Sequence, residues 1–352
     1  MDKLRYFLLA LTAAAALAVS VPAFAQQQAQ GSSAEAQAQR QDTQPLNNAP
    51  VWREVRSGAP GFTTTQGIET GVLVQSGGET WRQAREPIIF WGGILVAVGV
   101  LGLALFYLLR GTMGADDAAG GRLIRRFAPA DRYAHWLLAI SWVVLAITGL
   151  ILSLGKSVLL PVLGYTVFAW LASVSKVLHN FTGPILIVAI PWLFIRYIRD
   201  NGIGVEDIKW FFNIFGYFRG HEYPSHRFNA GEKLVFWLVL VIFSTILTVT
   251  GLILAFPNAG QGRTLMQLSN TIHMVAAYLA IALSLVHIYL GTLGVKGAYA
   301  AMRWGYVDEE WAKHHHLRWY EDVAAGKARQ KFADPGEGPP EEVRQPGKMR
   351  TA

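Results

Sequence analysis

Four histidines lie in the apolar half of this 352-residue chain, and two of them, His273 and His287, share one apolar run fourteen positions apart. On a helix that step is ~21 Å of rise, and it returns the second ring to within ~40° of the first. His135 and His179 stand near the ends of two further apolar runs. Imidazole suits iron, and ionisable groups within hydrocarbon are rare and mark function by default. Four imidazoles at two depths are what two bis-histidine haems, stacked across a bilayer, require.

The elements that must position them are membrane helices. The chain is 52% hydrophobic and 16% charged, which suits a helical membrane protein with polar ends. Five apolar runs, near 88–109, 134–154, 176–198, 233–256 and 268–294, are each long enough to cross ~30 Å of hydrocarbon. A backbone in lipid satisfies its own hydrogen bonds, so these runs are helices. The fold class is an all-α integral membrane protein, a four-helix transmembrane haem-binding bundle with one additional N-terminal transmembrane helix. Pro184 and Pro191 predict a kink in the third run. The stretch 157–174, interrupted by Pro161 and Gly164, reads as an interfacial loop or short surface helix. Gly149, Gly183 and Gly251 offer the close backbone approach that a flat macrocycle between helices needs.

Residues 1–25 read as a secretory signal: Lys3 and Arg5, an apolar stretch, then Ala23-Phe24-Ala25; the other reading is an uncleaved first helix. Residues 26–86 follow as a linker and outer extension, 87–110 as the additional helix, 120–300 as the bundle and 301–352 as a polar tail. The net charge of +7 does not form one patch. Arg110, Arg122, Arg125, Arg126 and Arg132 fall in one connection and Arg199, Lys209, Arg219 and Arg227 in another, while the alternate connections are poor in basic residues. The positive-inside rule makes these loops cytoplasmic, which leaves the mature N-terminus periplasmic and the C-terminus cytoplasmic. Nucleic acid is not an expected partner; the lipid bilayer is.

Depth then assigns the pairs. His135 and His287 both lie at the cytoplasmic level, and His179 and His273 at the outer level. Crossed pairs would put ligands ~20 Å apart, which one iron cannot accept. The chain has no cysteine, so neither covalent c-type haem nor a cysteine-bound iron–sulfur cluster can be its own. Arg132 and Lys176 lie where haem propionates or the interface would meet them. The triplet His314-His315-His316 has no acidic or sulfur partner at ligand spacing and reads as part of a docking or interfacial segment.

Several stretches carry a resemblance. Asp131-Arg132-Tyr133-Ala134-His135-Trp136, Leu178-His179-Asn180-Phe181-Thr182-Gly183, Phe228-Asn229-Ala230-Gly231-Glu232-Lys233, Ile272-His273, Val286-His287-Ile288-Tyr289 and Trp311 to Tyr320 together resemble the gamma, or cytochrome b, subunit of membrane-bound formate dehydrogenases. The likeness runs through roughly 120–322. The first transmembrane helix and the signal depart from the shorter family members. The resemblance implies two b haems held by His135, His179, His273 and His287. It implies membrane quinone as the substrate, beside the cytoplasmic-side haem and lined by Asn229, Gly231 and His287. It also implies a beta subunit with iron–sulfur clusters and an alpha subunit with a molybdenum or tungsten pterin. Formate oxidation would belong to that partner, so the chain is an enzyme only as a subunit. The bland reading of Asn229 is a helix N-cap before an apolar run. His221 and Glu232 are candidate proton-conducting groups. Other readings are the cytochrome b subunit of a nickel–iron hydrogenase or thiosulfate reductase, or a haem-free membrane anchor.

Overall fold

The computed structural model describes residues 49–58, 76–113, 122–213 and 223–339. The signal-type segment and His221 lie outside them. Among the described residues five helical spans are long and apolar enough to cross a membrane: Gly77–Arg110, Pro129–Val158, Leu160–Asp200, Ala230–Ala255 and Arg263–Gly294. The expected apolar runs coincide with these spans, except that the fourth run ends one residue later, at Phe256, and the third span begins earlier, at Leu160.

In finer detail the order is α1 (Ala49–Ser57), α2 (Ser76–Arg110), β1 (Leu123–Arg125), α3 (Pro129–Val158), α4 (Leu160–Thr182), α5 (Leu186–Tyr197), α6 (Val205–Phe212), α7 (Ala230–Leu234), α8 (Ser244–Ala255), α9 (Arg263–Tyr289), α10 (Ala298–Trp304), β2 (Tyr306–Asp308), α11 (Glu309–His315) and α12 (Leu317–Ala324).

The stretch 157–174, expected as an interfacial loop or short surface helix, is helical and continues into the third span. Pro161 falls in the first turn of α4, where its missing N–H would be unpaired in any case. Gly164 turns to φ 74°, a conformation that costs glycine little, and the helix resumes beyond it. The two supposed breakers therefore act as a start and a kink. Pro184 is absorbed differently: a tight 3-10 turn over Gly183–Ile185 joins α4 to α5. Pro191 lies within α5.

The chain forms two compact units, one of residues 1–90 with 151–172 and one of 91–150 with 173–352. In the first, Gly155 lies against Phe168, where a methyl group would sit 2.7 Å from the ring. The second holds the four histidines. There Gly92 of α2 meets the Tyr278 ring of α9 so closely that a Cβ would fall within 2.3 Å of it. Tyr289 takes Phe106 and Tyr107 edge-on at 6.2 and 6.4 Å.

Residues 297–339 fold against the ends of the spans. β2 pairs antiparallel with β1, and Ile124, Val307, Trp311, Trp319 and Val323 join Phe127, Tyr197, Phe228 and Phe236 in one buried cluster. This cap covers the ends of α3, α5 and α7. Of the triplet, His315 and His316 are buried within it and His314 is exposed.

An internal repeat runs through the helices. Arg126-Phe127 precedes α3 and Thr148-Gly149-Leu150-Ile151-Leu152 lies within it; Arg227-Phe228 precedes α7 and Thr250-Gly251-Leu252-Ile253-Leu254 lies within α8. The second copy is one residue longer between its arginine and threonine. Val235–Phe243, between α7 and α8, is π-helical, and Ser244 N–H donates five residues back to Val239. A π segment holds one extra residue without changing the phase of its flanks. Both ends of the motif therefore keep their faces.

The copies clasp each other at the cap end. Arg126 donates to the Arg227 carbonyl at 2.7 Å and Arg227 to the Arg126 carbonyl at 2.8 Å. Arg126 pairs with Glu232 at 3.0 Å, and Arg227 with Asp131 at 3.1 Å. Asp131 and Glu232 occupy the same place in the two copies, each accepting from a backbone N–H three residues earlier. Both guanidiniums lie over Phe127 and Phe228.

Candidate metal centres

His135 comes from the first half of α3 and His287 from the last turn of α9; their ring centroids are 6.3 Å apart. His179 comes from the end of α4 and His273 from the first half of α9; theirs are 6.2 Å apart. The first pair lies toward the cap and the second is distal to it. A metal–imidazole bond is ~2 Å and a ring nitrogen lies ~1.2 Å from its ring centre, so two imidazoles on opposite sides of one iron have centroids ~6.4 Å apart. Both pairs fit that separation.

The distal pair shows how its rings are held. His179 Nδ1 is 2.9 Å from Thr148 Oγ1, and His273 Nδ1 is 2.9 Å from Thr250 Oγ1. Each hydroxyl lies 2.7 or 2.6 Å from the carbonyl four residues back, Val144 or Ile246, and gives its proton there. Its oxygen therefore accepts from the ring, which fixes the Nδ1–H tautomer and leaves Nε2 as the bare donor for a metal. Gly149 and Gly251 follow these threonines. A Cβ on either would lie 3.3 Å from His179 Cε1 or 3.4 Å from His273 Cε1. Gly183 has nothing within 4 Å of such a position. In the cap-side pair, His135 Nδ1 is buried without a hydrogen-bond partner, and Trp136 stands perpendicular to the His135 ring at 5.4 Å.

Asn229 is the N-cap of α7. Its Oδ1 accepts from Glu232 N–H at 2.9 Å, and Glu232 accepts from Asn229 N–H at 2.9 Å, a closed capping box. The cap uses the amide oxygen and sets the direction of the Nδ2 donor. A Cβ at Gly231 would meet Asn229 Oδ1 at 3.3 Å and the Trp210 indole at 3.4 Å. Glu232 is also ion-paired with Arg126, and His316 Nε2 lies 3.9 Å from it. His316 Nδ1 donates to the His226 carbonyl at 2.9 Å. Burial, reinforced by Arg126, pushes the His316 pKa down to about 3. Arg132 donates to the Arg303 carbonyl at 2.6 Å, and Lys176 is exposed. No group of three or more metal-type side chains occurs among the described residues.

Thr148, Thr250, Trp210 and the Arg126–Arg227 clasp escape a sequence reading built on histidines. The signal for the threonines is the pentapeptide Thr-Gly-Leu-Ile-Leu, present twice in full.

Helical spans with facing histidine pairs define a membrane cytochrome scaffold. The sequence profile of the prokaryotic cytochrome b561 family matches residues 126–305. Over 215 residues the chain is 31% identical to the cytochrome b556(Fdn) subunit of the nitrate-inducible formate dehydrogenase of Escherichia coli (strain K12), covering 59% of this chain and 95% of that one. It is 32% identical over 209 residues to the cytochrome b556(fdo) subunit of formate dehydrogenase from the same organism, covering 57% and 93%. Its identity to the formate dehydrogenase cytochrome b556 subunit of Haemophilus influenzae is 28% over 217 residues, covering 58% and 85%. The chain belongs to the prokaryotic cytochrome b561 family, within the branch of formate dehydrogenase cytochrome b subunits. The family carries haem b.

Proposed function

We propose that this chain is the di-haem cytochrome b subunit of a respiratory formate dehydrogenase, passing electrons from a partner's iron–sulfur clusters to membrane quinone. The observation that carries the reading is the pair of facing histidine couples, both at bis-imidazole separation and joined through the single helix α9. Haem iron bound at each couple supplies a one-electron carrier whose potential is set by axial ligation, burial and nearby charge. His179 and His273 hold the distal group and His135 and His287 the cap-side one.

The orientation follows the basic connections. The cap-side level is cytoplasmic, the distal level periplasmic, and the chain crosses the bacterial inner membrane several times with residues 120–300 as the four-helix bundle. Quinone sits beside the cap-side group, lined by Asn229, Gly231 and His287. Asn229 Nδ2 donates to a quinone carbonyl, and the lack of a side chain at Gly231 leaves room between the amide and Trp210. The partners are a beta subunit with iron–sulfur clusters and an alpha subunit with a molybdenum or tungsten pterin. The names of the relatives favour formate over hydrogen as the electron source.

The test is a reduced-minus-oxidised spectrum of the purified subunit with haem counted as pyridine haemochrome. Two b haems per chain are expected, one lost in His273→Ala and the other in His287→Ala. A folded, membrane-inserted chain without haem overturns the reading.

A further inference from the structure

We infer that Thr148 and Thr250 are positioning residues for the two distal histidines, matched by the internal repeat, and that together they hold the distal haem's potential low. The inference rests on the haem reading above and goes beyond it by assigning residues that touch neither iron nor substrate.

Three observations converge. The geometry is the same at both places: Nδ1 to Oγ1 is 2.9 Å for His179–Thr148 and 2.9 Å for His273–Thr250. The hydroxyl protons are already committed to Val144 and Ile246, so each threonine acts on the ring only as an acceptor. The surrounding sequence is the same five residues, and in both copies the glycine after the threonine lies against the same edge of the same ring. The one-residue mismatch between the copies falls in the π-helical segment, and Thr250 still meets its histidine in the way Thr148 does. Each threonine serves the histidine of its own helical hairpin, so the distal site is two like halves facing each other.

The consequence is electronic as well as steric. A ring that donates its Nδ1–H to an oxygen is a more basic ligand through Nε2. A more basic axial ligand favours the ferric form and lowers the potential. Replacing the hydroxyl by a methyl group removes that acceptor and leaves the ring only the backbone carbonyl of Leu145 or Leu247 as a partner. The cap-side pair has no such partner at His135, whose Nδ1 is buried and unbonded, so its haem is insensitive to the change.

The experiment uses the full chain in membranes or in its complex, with haem counted in every sample. Potentiometric titration followed in the α-band, together with low-spin ferric EPR, compares wild type with Thr148→Val, Thr250→Val, the double variant and Thr148→Ser. Each valine variant is expected to shift the distal haem's ferric preference two- to tenfold toward ferrous. At 59 mV per tenfold for one electron this is an upward shift of about 18–59 mV. The two shifts should be alike and additive, with the cap-side haem unmoved and Thr148→Ser close to wild type. Loss of distal haem alone in the valine variants, restored by serine, also supports the assignment. Two haems per chain with potentials and EPR unchanged in the valine variants overturn the inference while leaving the haem reading standing. So does a serine variant displaced as far as valine. Absence of haem from the wild-type chain overturns both.

Discussion

At the residue scale the small side chains do most of the fitting. A methyl group on Gly149 or Gly251 would stand 3.3 or 3.4 Å from the Cε1 of His179 or His273, at the tight edge of ordinary contact. Gly149→Ala and Gly251→Ala are therefore each expected to displace a ring and perturb the EPR of a haem held there; unchanged EPR with full haem content would contradict this. The arginine clasp makes a larger prediction. Arg227 is buried against Asp131 and also pairs with Asp200. Arg227→Met leaves the buried Asp131 with Arg196 and the Ala128 N–H as partners; breaking a buried pair costs about 3–5 kcal/mol when the other charge is left unpaired, so a loss of up to about 3 kcal/mol is expected here. Thermal melting of the detergent-solubilised chain should show this loss, and Arg227→Lys should recover only part of it because the paired carbonyl contact needs the forked guanidinium.

At the element scale, what could be read from the sequence and what could not have different physical causes. The spans are legible because hydrocarbon demands long apolar helices, and the four histidines stand out because such helices seldom carry imidazole. The threonines do not stand out, because a threonine in an apolar helix normally bonds the carbonyl four residues back; both do so here, and the second lone pair that reaches histidine leaves no trace in composition. The stretch 157–174 misleads because Pro161 and Gly164 are breakers only in helix interiors, and the fold uses one at a start and the other at a kink. The cap escapes a pattern search because its strands are three residues long. The π-helical segment is tested by deletion. Removing Ile242, which is exposed, should let Val235–Phe243 relax to α-helix and keep both flanks in phase, so both haems are retained. Removing one residue from the middle of α3, which has no such slack, turns His135 by ~100° relative to Thr148 and should cost one haem. If both deletions behave alike in a haem count, the π segment is not the seat of the extra residue.

At the scale of the whole molecule, the cap ties the connections at one end of the spans into one folded layer, and its stability should depend on pH. His316 is buried neutral, its pKa pushed down to about 3. The stability it contributes is complete above the ordinary histidine value near 6.5 and is lost as pH falls from there toward 3. Glu309 is held at about 2 by hydrogen bonds from Arg122 and Tyr320. Its contribution is complete above the ordinary carboxylate range and declines only below it. Acidification should therefore loosen the cap in two stages, read as unquenching of Trp311 and Trp319 fluorescence or as exchange of their indole N–H groups. His316→Asn should remove the upper stage and leave the lower; a single stage in the wild type would count against this assignment.

The repeat also stops short of one level. Each hairpin holds one histidine of the distal pair and its own hydroxyl acceptor. The step from His273 to His287, counted instead from His179, falls on Leu193, and the place of His135 in the second copy is taken by Phe236. Leu193 and Phe236 are both buried in the same apolar cluster. A fully symmetric chain would present the cap-side pair twice. Here one of the twin places carries histidines and the other is core, so the halves of the molecule are alike at one level and unlike at the other.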